Sequence, residues 1–127
     1  MENKNTKRIL IIEDEKILSE MYKFKLNKEG FEVISAIEVD EGIELAKKQT
    51  PDLVVLDVLL PKESGINYLI KAKEIDSLKS VPVLVLSNFD DNQTRTEALK
   101  YGAKDYLIKS NHDPKEIVTR IKELLNQ

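Results

Sequence analysis

Residues 52–57 read DLVVLD, four aliphatic residues enclosed by two aspartates. Because the apolar residues are consecutive and do not alternate with polar ones, this run is typical of a parallel strand that is covered on both faces. Four further runs of this kind are Arg8 to Glu13 (RILIIE), Phe31 to Ser35 (FEVIS), Pro82 to Ser87 (PVLVLS) and Lys104 to Lys109 (KDYLIK). The sequence therefore predicts five short, buried strands.

Segments with the helical period separate these strands. The last helix has one apolar stripe, formed by Ile117, Val118, Ile121, Leu124 and Leu125. Asp113, Pro114 and Glu116 precede this stripe as an N-cap, a first-turn proline and a capping-box partner. The first helix presents Ile17, Leu18, Met21, Tyr22 and Phe24 and ends near Gly30, and Gly102 ends the fourth helix. The alternation predicts a doubly wound, flavodoxin-like α/β fold of (βα)5 type, with a parallel sheet in the order 2-1-3-4-5.

Length and composition restrict the class of protein. We expect a single domain over residues 1–127, with a core from about residue 8 to residue 126 and no output domain. The chain has no Cys, which excludes a disulfide framework and a thiolate metal site. Lys and Arg (20) are outnumbered by Asp and Glu (23), so direct nucleic-acid binding is not expected. Without a signal-peptide pattern or an apolar run of about 20 residues, we expect a cytoplasmic protein with no membrane segment.

Polar residues stand at the carboxyl ends of four predicted strands. Glu13 and Asp14 lie at the end of strand one, Asp57 ends strand three, Ser87 ends strand four and Lys109 ends strand five. In an open parallel sheet, ligands bind beyond the carboxyl ends of the strands, where the strand order reverses. The predicted topology therefore brings these five residues to one crevice.

Each of these residues, taken alone, has a simpler interpretation. Asp14 is equally compatible with an N-cap of the first helix, and Asp57, Ser87 and Lys109 with ordinary turn or surface positions. As a group, however, three acids beside one crevice repel one another and require a cation between them. A carboxylate cluster favours a hard ion such as Mg²⁺.

From about Arg8 to the C-terminus, the chain strongly resembles the receiver domain of two-component response regulators, in a stand-alone, chemotaxis-type form. Four segments carry the resemblance in order: ILIIEDE (9–15), VVLDVLLPKESG (54–65), VLVLSN (83–88) and ALKYGAKDYLIK (98–109). The second segment has Pro61 and Gly65 four and eight residues after Asp57. All four segments at these spacings form a specific pattern.

The resemblance implies a role for each matching residue. Asp57 is the expected phosphoacceptor, Ser87 the hydroxyl that contacts the phosphoryl group, Lys109 its cationic partner and Tyr106 the aromatic switch. Glu13, Asp14, Asp57 and the Leu59 backbone carbonyl are the expected ligands of Mg²⁺ or Mn²⁺. The surface formed by helix four, strand five and helix five is then the expected partner face.

Two departures from the family pattern concern the geometry of the pocket. Position 13 is Glu where the family often has Asp, and we expect Glu13 to bind metal through a water. Position 110 is Ser where a proline with a cis peptide bond is common. Because a cis bond before a residue other than proline costs about 2.5–4 kcal/mol, we predict a trans Lys109–Ser110 bond.

Three further positions are expected to tune access and hydrolysis. Asn88 replaces a small residue and narrows access to the phosphoryl group. Leu59 and Phe89, two residues beyond Asp57 and Ser87, flank the path of the hydrolytic water in this family. Because neither side chain can orient a water, we predict slow self-dephosphorylation.

The leading interpretation is a phosphorylatable receiver that acts as a protein-interaction switch and is not a multiple-turnover enzyme. His112 is the only histidine, so the phosphoryl group must come from another molecule, either a histidine kinase, a phosphotransfer protein or acetyl phosphate. An unidentified downstream protein would read the switch, with the chain as a monomer or a phosphorylation-dependent homodimer. The alternative is a docking or assembly module that works without phosphorylation.

Two enzyme or redox classes fit the residues less well. A flavodoxin-like redox protein would place Ser, Thr or Gly after strand one to bind the flavin phosphate, whereas this chain has Glu13, Asp14 and Glu15. An aspartate-based phosphatase usually has a second acid two residues after its nucleophile, and that position is Leu59.

Overall fold

The computed structural model describes residues 6–126. The strands are β1 (Arg8–Ile12), β2 (Glu32–Ala36), β3 (Leu53–Leu56), β4 (Val83–Ser87) and β5 (Asp105–Ile108). The helices are α1 (Lys16–Lys28), α2 (Val39–Lys48), α3 (Ile66–Lys73), α4 (Asn92–Lys100) and α5 (Pro114–Leu125), with a 3₁₀ turn at Lys109–Asn111. The domain predicted over residues 1–127 includes residues 1–5 and 127, which lie outside the described residues.

The strands form one parallel sheet in the order β2-β1-β3-β4-β5, which confirms the predicted topology. In the register, Ile12 pairs with both Ala36 and Leu56, and Ser87 pairs with Ile108. Each predicted strand limit differs from the observed one by at most one residue. The residues that directly follow β1, β3 and β5 are Glu13, Asp57 and Lys109, so all three lie at the carboxyl edge of the sheet.

The core has two layers, one on each face of the sheet. Along β1, Leu10 and Ile12 pack with α2, α3 and α4, whereas Ile9 and Ile11 pack with α1 and α5. Successive side chains of a strand point to opposite faces, so a strand with helices on both sides must be apolar throughout. This arrangement explains the continuous apolar runs in the sequence.

Most predicted helix ends are confirmed. Asp113 and Glu116 form the capping box of α5, with Pro114 in its first turn. Gly30 and Gly102 follow α1 and α4 with φ values of 93° and 105°, a region that favours glycine.

The apolar stripe predicted for α1 is only partly correct. Ile17 is 86% exposed and Phe24 is 60% exposed, while Tyr22 and Leu26 are buried. The ammonium group of Lys28 lies 5.3 Å from the centre of the Phe24 ring and covers part of it. The α1 sequence is apolar over more of its circumference than the sheet covers. Within residues 6–126, we find no helix that is long and apolar enough to span a membrane.

Candidate functional site

The acidic residues meet at the carboxyl edge of the sheet, as predicted. β1 and β3 are neighbours, so the residues that follow them, Glu13 and Asp57, enter the same space. Both are buried, whereas Asp14 is exposed at the mouth of the site. One carboxylate oxygen from each of these three residues lies within 4.8 Å of the others. The close approach of three carboxylates requires a compensating positive charge.

Lys109 supplies a positive charge from the opposite side of this cluster. Its Nζ donates hydrogen bonds to Asp57 Oδ2 at 2.8 Å and to Glu13 Oε1, and all three side chains are buried. The exposed carboxylate of Glu15 lies farther away, with Oε2 at 3.8 Å from Nζ. Lys109 therefore joins the residues that follow β1, β3 and β5 into one charged centre.

Burial and pairing act in opposite directions on these groups. Burial alone lowers the pKa of Lys109, but hydrogen bonds and charges from Asp57 and Glu13 outweigh it and raise the pKa above its ordinary value. Burial raises the pKa of Glu13, although the hydrogen bond and charge of Lys109 oppose this shift. Lys109 therefore keeps its charge at neutral pH.

The donor set of this centre fits a hard divalent cation. Glu13 Oε2 accepts a hydrogen bond from the Glu15 backbone N–H at 3.0 Å, so both oxygens of Glu13 already have partners. Asp57 Oδ1 accepts from the Leu59 backbone N–H at 2.9 Å and retains a further lone pair. Asp14 is exposed beside these two buried acids. Together the three carboxylates offer the oxygen ligands that Mg²⁺ prefers, and the exposed side of the cluster leaves room for the waters that Mg²⁺ keeps.

Ser87 ends β4 and is fully buried. Its Oγ accepts a hydrogen bond from the backbone N–H of Phe89 at 3.2 Å, so the hydroxyl faces the loop that follows its own strand. The pairing of Ser87 with Ile108 places this loop next to the 3₁₀ turn that begins with Lys109.

Tyr106 is buried and belongs to the same network. Its hydroxyl donates to the backbone carbonyl of Phe89 at 2.6 Å, and burial raises its pKa. The guanidinium of Arg95 lies 4.9 Å from the ring centre and donates to the Tyr106 carbonyl at 3.0 Å. Arg95 was not predicted, because a single arginine in the polar helix α4 carries no sequence signal for a contact with β5.

Leu59 and Phe89 lie together at the surface beside the site. They are 51% and 39% exposed, and both line a groove of about 320 Å³. The two apolar residues therefore border the same groove, and their effect on hydrolysis stays a prediction.

Asn88 and Ser110 contact each other across two loops. The Oδ1 atom of Asn88 accepts a hydrogen bond from the Ser110 backbone N–H at 2.9 Å. The Lys109–Ser110 peptide bond is trans, which confirms the prediction. The narrowing of access that was predicted for Asn88 stays a prediction. No pattern in the sequence indicates that Asn88 and Ser110 would contact each other.

Gly65 allows the loop after β3 to approach Asp57 closely. Its backbone N–H donates to the Val58 carbonyl at 3.0 Å, and a Cβ atom at this position would lie 2.0 Å from the Asp57 carbonyl oxygen. The glycine eight residues after Asp57 is therefore required by the packing of the backbone around the acid.

His112 is half-buried and its Nδ1 lies 3.9 Å from Glu116, at the far side of the 3₁₀ turn.

This fold and this arrangement of acids and lysine define a class of signalling domain. The family "Response regulator receiver domain" matches residues 9–122, and the chain belongs to this family. Receiver domains are signalling modules and not multiple-turnover enzymes, in agreement with the class expected from the sequence.

Individual relatives extend the comparison. The phosphate regulon transcriptional regulatory protein PhoB of Escherichia coli K12 is 35% identical over 121 residues, which are 95% of this chain and 52% of PhoB. A CheY-like receiver domain protein from Methanospirillum hungatei has a TM-score of 0.90 at 27% identity and covers 96% of this chain and 95% of its own. The BeF3-activated N-terminal receiver domain of Klebsiella pneumoniae RstA has a TM-score of 0.86 at 25% identity, covering 94% and 99%. The chain therefore spans about half the length of PhoB.

Proposed function

We propose that this chain is a phosphoacceptor receiver that takes a phosphoryl group on Asp57 and changes its surface in response. The donor would be a histidine kinase, a phosphotransfer protein or acetyl phosphate, and the reader an unidentified downstream protein in the cytoplasm. The observation that carries the proposal is the buried Asp57 carboxylate, which faces the Lys109 ammonium at 2.8 Å beside two further acids.

The transfer step follows from the chemistry of the carboxylate. An oxygen of Asp57 attacks phosphorus, the bond from phosphorus to the donor breaks, and its electron pair leaves with the donor imidazole or acetate. The product is an acyl phosphate on Asp57. Lys109, already within hydrogen-bonding distance, neutralises charge on the transferred oxygens.

The acids around Asp57 are proposed to hold a divalent cation. Asp14, Asp57, the Leu59 backbone carbonyl and Glu13, the last through a water, would bind Mg²⁺ or Mn²⁺. Each oxygen of Glu13 and of Asp57 already accepts one hydrogen bond and retains a further lone pair for the cation or for a water that the cation holds. When bound, the cation neutralises the phosphoryl oxygens and offsets the repulsion between the acids.

The response is proposed to pass through Ser87 and Tyr106. The phosphoryl group brings nearly two negative charges and new acceptor oxygens, to which the Ser87 hydroxyl would donate. The Ser87 hydroxyl would then give up the hydrogen bond that it accepts from the Phe89 N–H. Because the Tyr106 hydroxyl donates to the carbonyl of the same Phe89, a change in this loop would allow the Tyr106 side chain to rotate. The surface of α4, β5 and α5 would then differ between the two states.

The direct test is the uptake of phosphate by wild type and by Asp57→Ala. With acetyl phosphate and Mg²⁺, we expect a phosphoryl adduct in the intact mass of wild type and none in Asp57→Ala. The matched control is Asp76→Ala, because the Asp76 side chain is almost fully exposed and far along the chain from the acids. If wild type gains no adduct from any donor and beryllofluoride leaves the resonances near Asp57 unchanged, the chain is a docking module that works without phosphorylation.

A further inference from the structure

The hydrogen bond between Asn88 and Ser110 extends the connection of β4 and β5 beyond the end of their ladder. The register of these strands ends where Ser87 pairs with Ile108. The next residues, Asn88 and Lys109, have left the strands, and here the Asn88 side-chain carbonyl accepts the Ser110 N–H at 2.9 Å. The amide side chain thus takes the place that a backbone carbonyl has inside the sheet.

Ser110 lies in the 3₁₀ turn that starts with Lys109. Within this turn, the His112 N–H reaches the Lys109 carbonyl at 3.4 Å, which is long for a hydrogen bond. The hydrogen bond that Asn88 accepts from the Ser110 N–H is shorter, at 2.9 Å. Because Asn88 directly follows Ser87, this bond attaches the turn to the end of β4. It depends on a backbone N–H at position 110, which a proline would lack.

The backbone at Lys109 needs such support because its side chain is flexible. Lysine has a four-carbon stem, and its ammonium here is oriented by Glu13 and Asp57. Any reaction at Asp57 changes one of these two partners. The position of Lys109 during the reaction then depends more strongly on its backbone.

We propose that Asn88 is a positioning residue for Lys109, acting through the Ser110 N–H; this inference rests on the proposed phosphoacceptor function. Asn88 and Ser110 form one unit, in which the side-chain amide holds a trans turn in register with the Ser87 loop.

The test compares the effect of Asn88→Ala in two backgrounds. With Ser110 present, Asn88→Ala should lower the rate constant of phosphorylation by acetyl phosphate roughly three- to tenfold, the factor of one hydrogen bond. In a Ser110→Pro background, the same change should no longer lower the rate constant, because the donor of the hydrogen bond is already absent. Ser110→Ala, which retains the backbone N–H, is the matched control and should behave as wild type.

Two further measurements separate positioning from a general structural role. The affinity for Mg²⁺ alone, measured by calorimetry, should be the same in wild type and Asn88→Ala, because Asn88 makes no hydrogen bond to the three acids. The Ser110 amide should lose protection against hydrogen exchange in Asn88→Ala. The positioning role would be refuted if Asn88→Ala had equal effects in both backgrounds, or if it lowered the Mg²⁺ affinity together with the rate constant. Either result would leave the proposed phosphoacceptor function standing. Wild type that gains no adduct would refute the proposed function and this inference with it.

Discussion

At the scale of single residues, the site is governed by how two buried carboxylates share one lysine. Glu13 and Asp57 are buried, and each contacts Lys109, whereas Asp14 remains exposed. Removal of Lys109 would leave two buried acids without a cation, which is far more unfavourable than the loss of a surface ion pair. The lysine therefore stabilises the two buried acids and is also in place for the transferred phosphoryl group.

Two exposed apolar residues beside this centre lead to a prediction about the lifetime of the acyl phosphate. Leu59 and Phe89 line one groove and offer no side-chain hydrogen bond to a water. We expect the double substitution Leu59→Asn with Phe89→Glu to shorten the lifetime at least tenfold, on the order of what orientation of one water contributes. The lifetime is measured by the decay of the adduct in intact mass spectra after removal of the donor.

The control for this change is Ile70→Asn, an exposed apolar residue on α3 that does not line the groove. Its adduct should decay at the wild-type rate. An unchanged lifetime in the double variant would contradict a role of the two side chains in hydrolysis.

Tyr68 leads to a prediction about stability at alkaline pH. This residue is almost completely buried on α3, and burial raises its pKa above the ordinary value. A group whose pKa is raised in the folded state stabilises the fold fully below its unfolded pKa, about 10, and this contribution is lost as the pH rises further. The expected slope is about 1.4 kcal/mol per pH unit for one such group.

We therefore expect the free energy of unfolding of Tyr68→Phe to fall less steeply than that of wild type between about pH 10 and about pH 11.5. Urea titrations at several pH values measure this difference. Phenylalanine keeps the packing of the ring, so the two proteins should differ little at neutral pH. Identical slopes would show that Tyr68 does not contribute to alkaline unfolding.

At the scale of elements, the structure shows why some features were predictable and others were not. The five strands follow from continuous apolar runs, since parallel strands with helices on both faces have no polar side to expose. Their order follows from the alternation of strands and helices with right-handed crossovers. The meeting of Glu13, Asp14, Asp57 and Lys109 follows from the same topology, because each residue adjoins a strand end. In contrast, the contacts Asn88–Ser110 and Arg95–Tyr106 join side chains and backbone from distant segments, and no local pattern records them.

Arg95 gives a prediction at this scale, since it connects α4 to β5. Its guanidinium packs on the Tyr106 ring and donates to the Tyr106 carbonyl. Because Arg95 is partly exposed, we assign the contact about 1 kcal/mol. This corresponds to roughly a fivefold change in the ratio of molecules with the Tyr106 side chain buried (inward) to molecules with it exposed to solvent (outward). In Arg95→Ala, the ¹⁹F resonance of fluorotyrosine at position 106 should shift toward its solvent-exposed value.

The matched control is Arg120→Ala, which breaks the ion pair with Asp105 on the same strand without touching the Tyr106 ring. That variant should keep the wild-type resonance at position 106. An equal shift in both variants would mean that a general loosening of β5, and not the Arg95 contact, holds Tyr106 inward.

At the scale of the whole molecule, α4 and β5 form one side of the fold with little cover. β5 is an edge strand, and Ala98 is the buried residue of α4. Leu99 lies one helical turn after Arg95 on the side of α4 that faces β5, and it is 46% exposed. A rotation of Tyr106 would therefore change the protein surface directly beside the exposed apolar side chain of Leu99.

We expect this face, formed by α4, β5 and α5, to bind a second copy of the chain when Asp57 carries beryllofluoride in place of the phosphoryl group. Sedimentation with Mg²⁺ should show monomers without beryllofluoride and dimers with it, because the rotation of Tyr106 would change the surface next to Leu99. Leu99→Glu should abolish the dimer while the resonances near Asp57 still respond to beryllofluoride. Phe24→Glu, an equally drastic change on α1 at the opposite face of the sheet, should leave the dimer intact. A dimer that Phe24→Glu disrupts and Leu99→Glu does not would place self-association on the α1 side, and a monomer under both conditions would leave the altered face for a different protein.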